Sequence, residues 1–235
     1  MNSFDFEILN YVNQFSRHSD VFTQLMVMFN GSSVLKGGVL ATVIWWAWFK
    51  GEERHSLVRE RIISTLFGCV VAIALGRALA WALPLRKRPV LEEGLSSLLS
   101  YGEKSSSLGT LSSFPSDHAV FFFSLAVGLY FVNRRAGVFA IFYSILFISI
   151  PRISLGLHYP TDIIAGAILG TAVALIANIY LVKNKYIHKI TDLSYSKPAL
   201  FYPLFLLFTS QIADMFDGTR DMMRGMYRLI QSIIN

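Results

Sequence analysis

The apolar positions of this chain gather into long runs separated by short basic or polar stretches. The clearest runs, residues 62–85 and 163–182, are long enough to cross a bilayer core, which takes about 20 residues of helix. Shorter runs occupy 21–29, 34–49, 119–132 and 137–150, the last two on either side of Asn133-Arg134-Arg135. Ahead of them, residues 4–16 place Phe4, Ile8, Leu9, Val12 and Phe15 at helical spacing, which predicts an amphipathic helix at a membrane surface. A last stretch, 198–212, is marginal in length and leaves two arrangements open. It crosses and puts residues 214–235 outside, or it lies flat and leaves them inside. The pattern as a whole predicts an all-α fold: a polytopic membrane bundle of about six transmembrane helices with an N-terminal interfacial helix. The division expected is a membrane domain over residues 1–190 and a C-terminal extension over residues 191–235.

Composition agrees with that pattern. The chain is 54% hydrophobic and only 15% charged, where a soluble domain has about 25% charged residues. The net charge of +6 would suggest nucleic acid as a partner in a soluble protein. Here the Lys and Arg residues fall mostly between apolar runs, where they fix topology, and no nucleic-acid partner is expected. The single cysteine, Cys69, lies inside an apolar run, cannot form an internal disulfide and reads as a small core residue. The first twenty residues lack a basic start and a continuous apolar core, and they carry Asp5 and Glu7, so no cleavable signal peptide is expected.

Basic loops at 50–61, 134–135 and 183–189 are assigned to the cytoplasm, which puts loops 86–118 and 151–160 outside. Arg86-Lys87-Arg88 opposes that rule, and binding an anion is the reason such a cluster would sit there. Residues 90–113, rich in Ser and Gly with Glu92, Glu93 and Glu103, form a long polar loop that reads as a mobile lid or a solvated linker.

Three clusters share the outer face: Arg86-Lys87-Arg88-Pro89, Phe114-Pro115-Ser116-Asp117-His118, and Pro151-Arg152 through His158-Tyr159-Pro160-Thr161-Asp162. Pro115 and Pro160 each suit the first position of a helix. The N–H groups of Ser116, Asp117 and His118 would then point out of a helix end, which binds phosphate through its donors and dipole. Arg88 and Arg152 can grip phosphate oxygens in bidentate fashion. Two imidazoles, His118 and His158, suit a nucleophile and a general acid near neutral pH. Asp162 follows His158 by four residues, so its carboxylate can share a helix face and accept an imidazole proton, leaving the other ring nitrogen more basic. Taken singly, each residue has a bland explanation: an interfacial polar anchor for a histidine, as for His18, His55 and His188, a topological signal for an Arg-Pro, dipole compensation for an Asp. Together they supply matching parts of one reaction.

These motifs resemble the type 2 phosphatidic acid phosphatase superfamily, which also includes the vanadium haloperoxidases. Its pattern is Lys-x6-Arg-Pro, then Pro-Ser-Gly-His, then Ser-Arg-x5-His-x3-Asp. Arg88-Pro89, Pro115-Ser116-Asp117-His118 and Arg152-x5-His158-x3-Asp162 stand in those places, over about residues 60–182. The resemblance implies a bundle of about six spans and a phosphatase that needs no metal or cofactor. It implies that His158 attacks phosphorus with Asp162 orienting it, that His118 protonates the leaving group, and that Arg88, Arg152, Ser116 and nearby N–H groups bind phosphoryl oxygens. Three positions depart from the pattern. Trp81 stands where the lysine would be, so the missing cation falls to Arg77, one turn earlier, or to Arg86 or Lys87. Asp117 replaces the glycine, as in the Pro-Ser-Asp-His of bacterial undecaprenyl pyrophosphate phosphatases, and counts with the phosphate-binding set. Pro151 replaces the serine.

The expected activity is removal of phosphate from a lipid, with undecaprenyl pyrophosphate first and phosphatidylglycerophosphate, phosphatidate or a lipid phosphotransfer as alternatives. A non-catalytic phospholipid-binding or transport protein is the reading from a different class, favoured by Trp81 and opposed by the paired histidines with Asp162. The expected setting is a bacterial inner membrane with the site facing the periplasm. Oligomeric state is not encoded in the motifs.

Overall fold

The computed structural model describes residues 2–50, 55–92, 95 and 112–215. Ten α-helices make up the described chain: α1 Ser3–His18, α2 Asp20–Gly31, α3 Val39–Phe49, α4 His55–Ala82, α5 Asp117–Val132, α6 Arg134–Tyr143, α7 Ile150–Ser154, α8 Pro160–Tyr180, α9 Lys185–Ser196 and α10 Pro198–Ala213. A π-helical turn, Val34–Gly38, leads into α3, and another, Ser144–Ser149, joins α6 to α7. The fold is a helical membrane bundle, as the hydrophobic pattern predicts. Among the described residues, Ser56–Ala82, Arg134–Ser154 and Pro160–Lys183 are long and apolar enough to cross a membrane, and α5 and α10 are shorter apolar helices.

The helix ends follow from local chemistry. Asn2, Ser19, Ser116, Asn133 and Asn184 each cap the helix that follows by accepting a backbone N–H in its first turn. Asn133 also closes α5 through its own N–H to the Leu129 carbonyl, so α5 and α6 reverse direction around one residue. Pro160 and Pro198 occupy first turns, where a missing N–H is harmless.

One expectation is corrected. Residues 21–29 are not a separate span: α2 and Val34–Phe49 form one unit bent by 74°. Ser32 makes the break. Its N–H ends α2 on the Met28 carbonyl while its hydroxyl accepts Leu35 N–H and starts the next segment. α2 then packs Met26 against Leu155 and Leu157, just past the end of α7. The N-terminal helix is amphipathic as expected, but its inward face is Asp5, Leu9, Asn13 and Ser16, while Phe4, Phe6, Tyr11 and Phe15 lie outward.

α4, α5 and α8 form the centre. Small residues let these helices touch: a Cβ at Gly166 would come within 2.7 Å of the Ser116 carbonyl, and one at Gly170 would strike the Val120 carbonyl. Without lipid-excluding hydrophobicity inside a membrane, such close backbone approach is a main source of helix association. The packing of α10 is also defined. Trp48 stacks on Phe201 at 5.3 Å, Trp45 meets Phe205 at 5.1 Å and donates to Thr209 at 3.0 Å, and Ser33 bonds Asp214. Partner numbers fall along residues 33–48 as they rise along α10, so α10 runs antiparallel to that segment over its whole length.

Candidate active site

The site lies where α4 and α7 end and α5 and α8 begin. Backbone bonds tie the three sequence clusters together: Ser113 N–H to the Arg86 carbonyl (2.9 Å), Val90 N–H to the Gly156 carbonyl (2.9 Å), and Ser116 N–H to the Asp162 carbonyl (3.1 Å). The last bond corrects an expectation. Ser116 N–H is already used, and Pro115 does not open a helix: it precedes the capping Ser116, after a cis bond from Phe114. The reason is that Ser116 is the better cap, its Oγ accepting Ala119 N–H.

The end of α7 builds the position of His158. Gly156 has φ 66°, the left-handed conformation that suits glycine. Its N–H returns to the Ile153 carbonyl and Leu157 N–H to that of Arg152, the paired bonds of a Schellman motif. His158 N–H reaches the same Arg152 carbonyl at 3.3 Å. The turn therefore delivers His158 back over the residue that starts its motif.

His158 is buried, and Nδ1 lies 2.8 Å from the Ser113 carbonyl. A carbonyl only accepts, so Nδ1 carries the proton and Nε2 presents a lone pair. Arg88 Nη1 donates toward that Nε2 at 3.3 Å and to the Leu157 carbonyl at 2.8 Å. Burial holds His158 below the ordinary histidine value; Asp162 pulls the other way, and Arg88 and Arg152 add to the lowering. The imidazole is thus kept neutral with its free nitrogen beside a guanidinium. The expected acceptor was Asp162, yet Asp162 Oδ2 stands 3.7 Å from Nδ1, too far for a hydrogen bond. Its oxygens are taken: Oδ2 accepts Tyr159 N–H at 2.8 Å and Oδ1 pairs with Arg86 Nη1 at 2.5 Å.

Arg152, buried at the end of α7, donates through Nη2 to His118 Nε2. His118 is partly exposed in the first turn of α5. Each imidazole therefore has an arginine against its Nε2. Arg88 Nε is buried with no partner among the described residues, a donor left for something else.

The other cations separate. Lys87 is exposed. Arg86, expected to bind phosphate, is committed to carboxylates: Nη2 to Asp5 at 2.7 Å and Nη1 to Asp162, over the ring of Tyr159 at 4.2 Å. Burial, then the charge of Glu92, pushes the Tyr159 phenol up to about 12, so it stays neutral under that guanidinium. Trp81 is 80% exposed, so the position of the pattern's lysine faces out of the bundle. Arg77 instead pairs with Asp117 across α4 and α5. One departure from the pattern, Asp117, is thus partnered by Arg77, the residue one turn before the missing lysine. Arg77→Ala should raise KM for an anionic substrate about tenfold by stranding the Asp117 carboxylate, and Arg77→Ala/Asp117→Gly should recover most of it. Additive losses in kinetic measurements on the two single variants and the double would show that the pair is not coupled.

Sequence reasoning missed Asp5, Thr161 and the Ser113 carbonyl. Most of loop 90–113 and residues 216–235 lie outside the described residues.

Known proteins give the family. Relatives include a bacitracin transport permease protein BcrC from Bacillus licheniformis, 36% identical over 34% of this chain and 39% of that protein. An undecaprenyl-diphosphatase BcrC from Bacillus subtilis is 22% identical over 73% of this chain and 81% of its own. A lipid A 4'-phosphatase from Bacteroides thetaiotaomicron is 32% identical over 65% and 73%. The chain thus spans well under half of the first relative and most of the other two. No solved structure matches the chain. The PAP2 superfamily model matches residues 62–186, which hold all three clusters and more than half of the chain. The chain belongs to the PAP2 superfamily.

Proposed function

We propose that this membrane protein hydrolyses phosphate from undecaprenyl pyrophosphate at the outer face of a bacterial inner membrane, through a phosphorylated His158. The observation that carries the reading is the neutral His158, its Nδ1–H spent on a carbonyl and its Nε2 lone pair held beside Arg88. His158 Nε2 attacks phosphorus and forms an N–P bond as the bond to the leaving oxygen breaks. His118 gives that oxygen a proton. Water then attacks phosphorus, the N–P bond breaks, and His118 takes the water proton. Arg88, Arg152 and the N–H groups of Asp117 and His118 at the start of α5 hold the equatorial oxygens, where charge builds. Asp162 acts on His158 through space. Lys87 is exposed and meets the substrate on approach, and Arg77 balances Asp117 beside the phosphate. The substrate rests on the Asp117 variant and on the undecaprenyl-diphosphatase relative. The basic residues Lys50, Arg134, Arg135 and Lys183 flank the ends of helices away from the site, the arrangement expected of a cytoplasmic face. α10 crosses with α3 and brings Asp214 to the outer end.

The lipid A 4'-phosphatase relative supports a second substrate, a phosphorylated glycolipid. Purified protein in detergent, given undecaprenyl pyrophosphate, phosphatidylglycerophosphate, phosphatidate and lipid A in parallel, should release phosphate fastest from the first, and vanadate should inhibit it. Faster release from lipid A would replace the substrate. Release from none by folded protein would end the phosphatase reading.

A further inference from the structure

α8 carries one acid in its own first turn, Asp162, whose Oδ2 turns back to the Tyr159 N–H and leaves the Thr161 N–H to another partner. Its capping position is Tyr159, whose phenol makes no cap bond, and Pro160 follows. The first turn of a helix exposes N–H donors and a positive dipole end that a short polar or acidic side chain normally satisfies. Asp5 supplies that side chain from another helix. Its Oδ1 accepts Thr161 N–H at 2.9 Å and its Oδ2 accepts the Thr161 hydroxyl at 2.8 Å. The same Oδ2 pairs with Arg86 Nη2, whose Nη1 holds Asp162. Asp5 and Asp162 are both fully buried, while Arg86 keeps 29% of its side chain exposed. A fully buried carboxylate is costly unless it is paired and hydrogen-bonded, and here every bond it makes points to the first turn of α8 or to the arginine that grips Asp162.

The rest of α1 seats this contact. Leu9 packs with Val90 and Tyr159, Val12 against Ile153 and Ile163, and the Ser16 hydroxyl meets that of Ser154 at 2.9 Å. Asp5, Leu9, Val12 and Ser16 fall on one helical face that spans the end of α7, the loop holding His158 and the start of α8. None of these α1 residues lies within the stretch the family model matches.

We propose that Asp5 is a positioning residue of the active site: it caps α8 in trans and, through Arg86, fixes Asp162 and the loop that presents His158. This rests on His158 acting as the nucleophile. In Asp5→Asn one oxygen remains for the Thr161 N–H, but an NH2 donor stands where Oδ2 accepted Arg86 and the Thr161 hydroxyl, so Arg86 is held on one side only and the residues next to His158 are free to shift. Among the described residues, the groups that face His158 are Arg88, Arg152, Asp162 and the Ser113 carbonyl. Removing one negative charge behind Asp162 makes that surrounding more positive, so the proton on His158 is held less tightly.

The test uses the full chain in detergent with dioctanoyl phosphatidate, a soluble lipid phosphate, if wild type turns it over, and otherwise the best substrate of the lipid panel. Asp5→Asn should lower kcat roughly tenfold to a hundredfold, with KM within about twofold, as misplacement of reacting groups does. The acid limb of kcat/KM should move to lower pH. Phe4→Ala, on the outward side of α1, should leave kcat unchanged. If Asp5→Asn does not fold, Asp5→Glu decides: a lowered kcat with the acid limb at its wild-type position supports the proposal. A kcat within about twofold of wild type for the folded variant overturns it, and so does a loss confined to folded yield with the limb unmoved. If His158→Ala is as active as wild type, the nucleophile assignment has failed instead, and that result is separate from any effect of Asp5.

Discussion

Replacing His158 by Ala is expected to abolish phosphate release, lowering kcat by about ten-thousand-fold or more, as loss of an attacking group does elsewhere. No other described side chain offers a neutral nitrogen in that place: His118 presents its Nε2 to Arg152. The variant also strands the Ser113 carbonyl, which costs about 1–3 kcal/mol of stability, so thermal unfolding should accompany the kinetics and His158→Gln should serve as a control of similar size. A residual rate within about tenfold of wild type in folded protein would remove His158 from the reaction. The same residue is expected to set the acid limb. Attack needs a neutral imidazole, and burial lowers its folded value from 6.5, so activity should hold below pH 6.5 before it falls. The unfolded chain accepts a proton that the folded site refuses. Stability from this group is therefore complete above pH 6.5 and is lost as pH falls through the folded value. A limb above pH 6.5 in kcat/KM would contradict this assignment.

The helices were legible because apolar runs and caps are local. So were the three clusters, since Arg152, His158 and Asp162 are spaced along one short stretch and need only a turn to meet. What sequence spacing could not give were contacts whose chemistry carries no residue signature. The acceptor for His158 is a main-chain carbonyl, and any residue at position 113 would provide one. Asp162 was expected in that role because i and i+4 share a face on a helix, but His158 precedes the helix, and the Asp162 carboxylate turns back to the Tyr159 N–H. The Asp5–Arg86 pair joins residues 81 apart in sequence, and only packing decides such a contact. The break at Ser32 misled in another way: two apolar runs of suitable hydropathy read as two spans, while a serine that ends one helix and starts the next bends them into a single unit. The lysine position failed for reasons of helical phase. Trp81 faces outward, whereas Arg77 reaches the start of α5.

The second large effect is expected at Arg88. Its guanidinium bridges the Leu157 carbonyl and His158 Nε2, and its Nε is buried with no partner among the described residues. A phosphoryl group placed for attack by Nε2 must sit against this guanidinium, and a preorganised cation there stabilises the charge that builds on the equatorial oxygens. Arg88→Ala should therefore lower kcat/KM by about a hundredfold to a thousandfold. Arg88→Lys should recover little of this, because an ammonium is a point charge without the planar fork that holds two oxygens at once. The two variants should differ in pH dependence. Arg88 contributes to the lowering of His158, so Arg88→Ala should raise the acid limb of kcat/KM, while Arg88→Lys keeps the charge and should leave the limb near its wild-type position. Full recovery of rate in Arg88→Lys would mean that the site needs only positive charge at this position and that the fork geometry contributes nothing to the transition state.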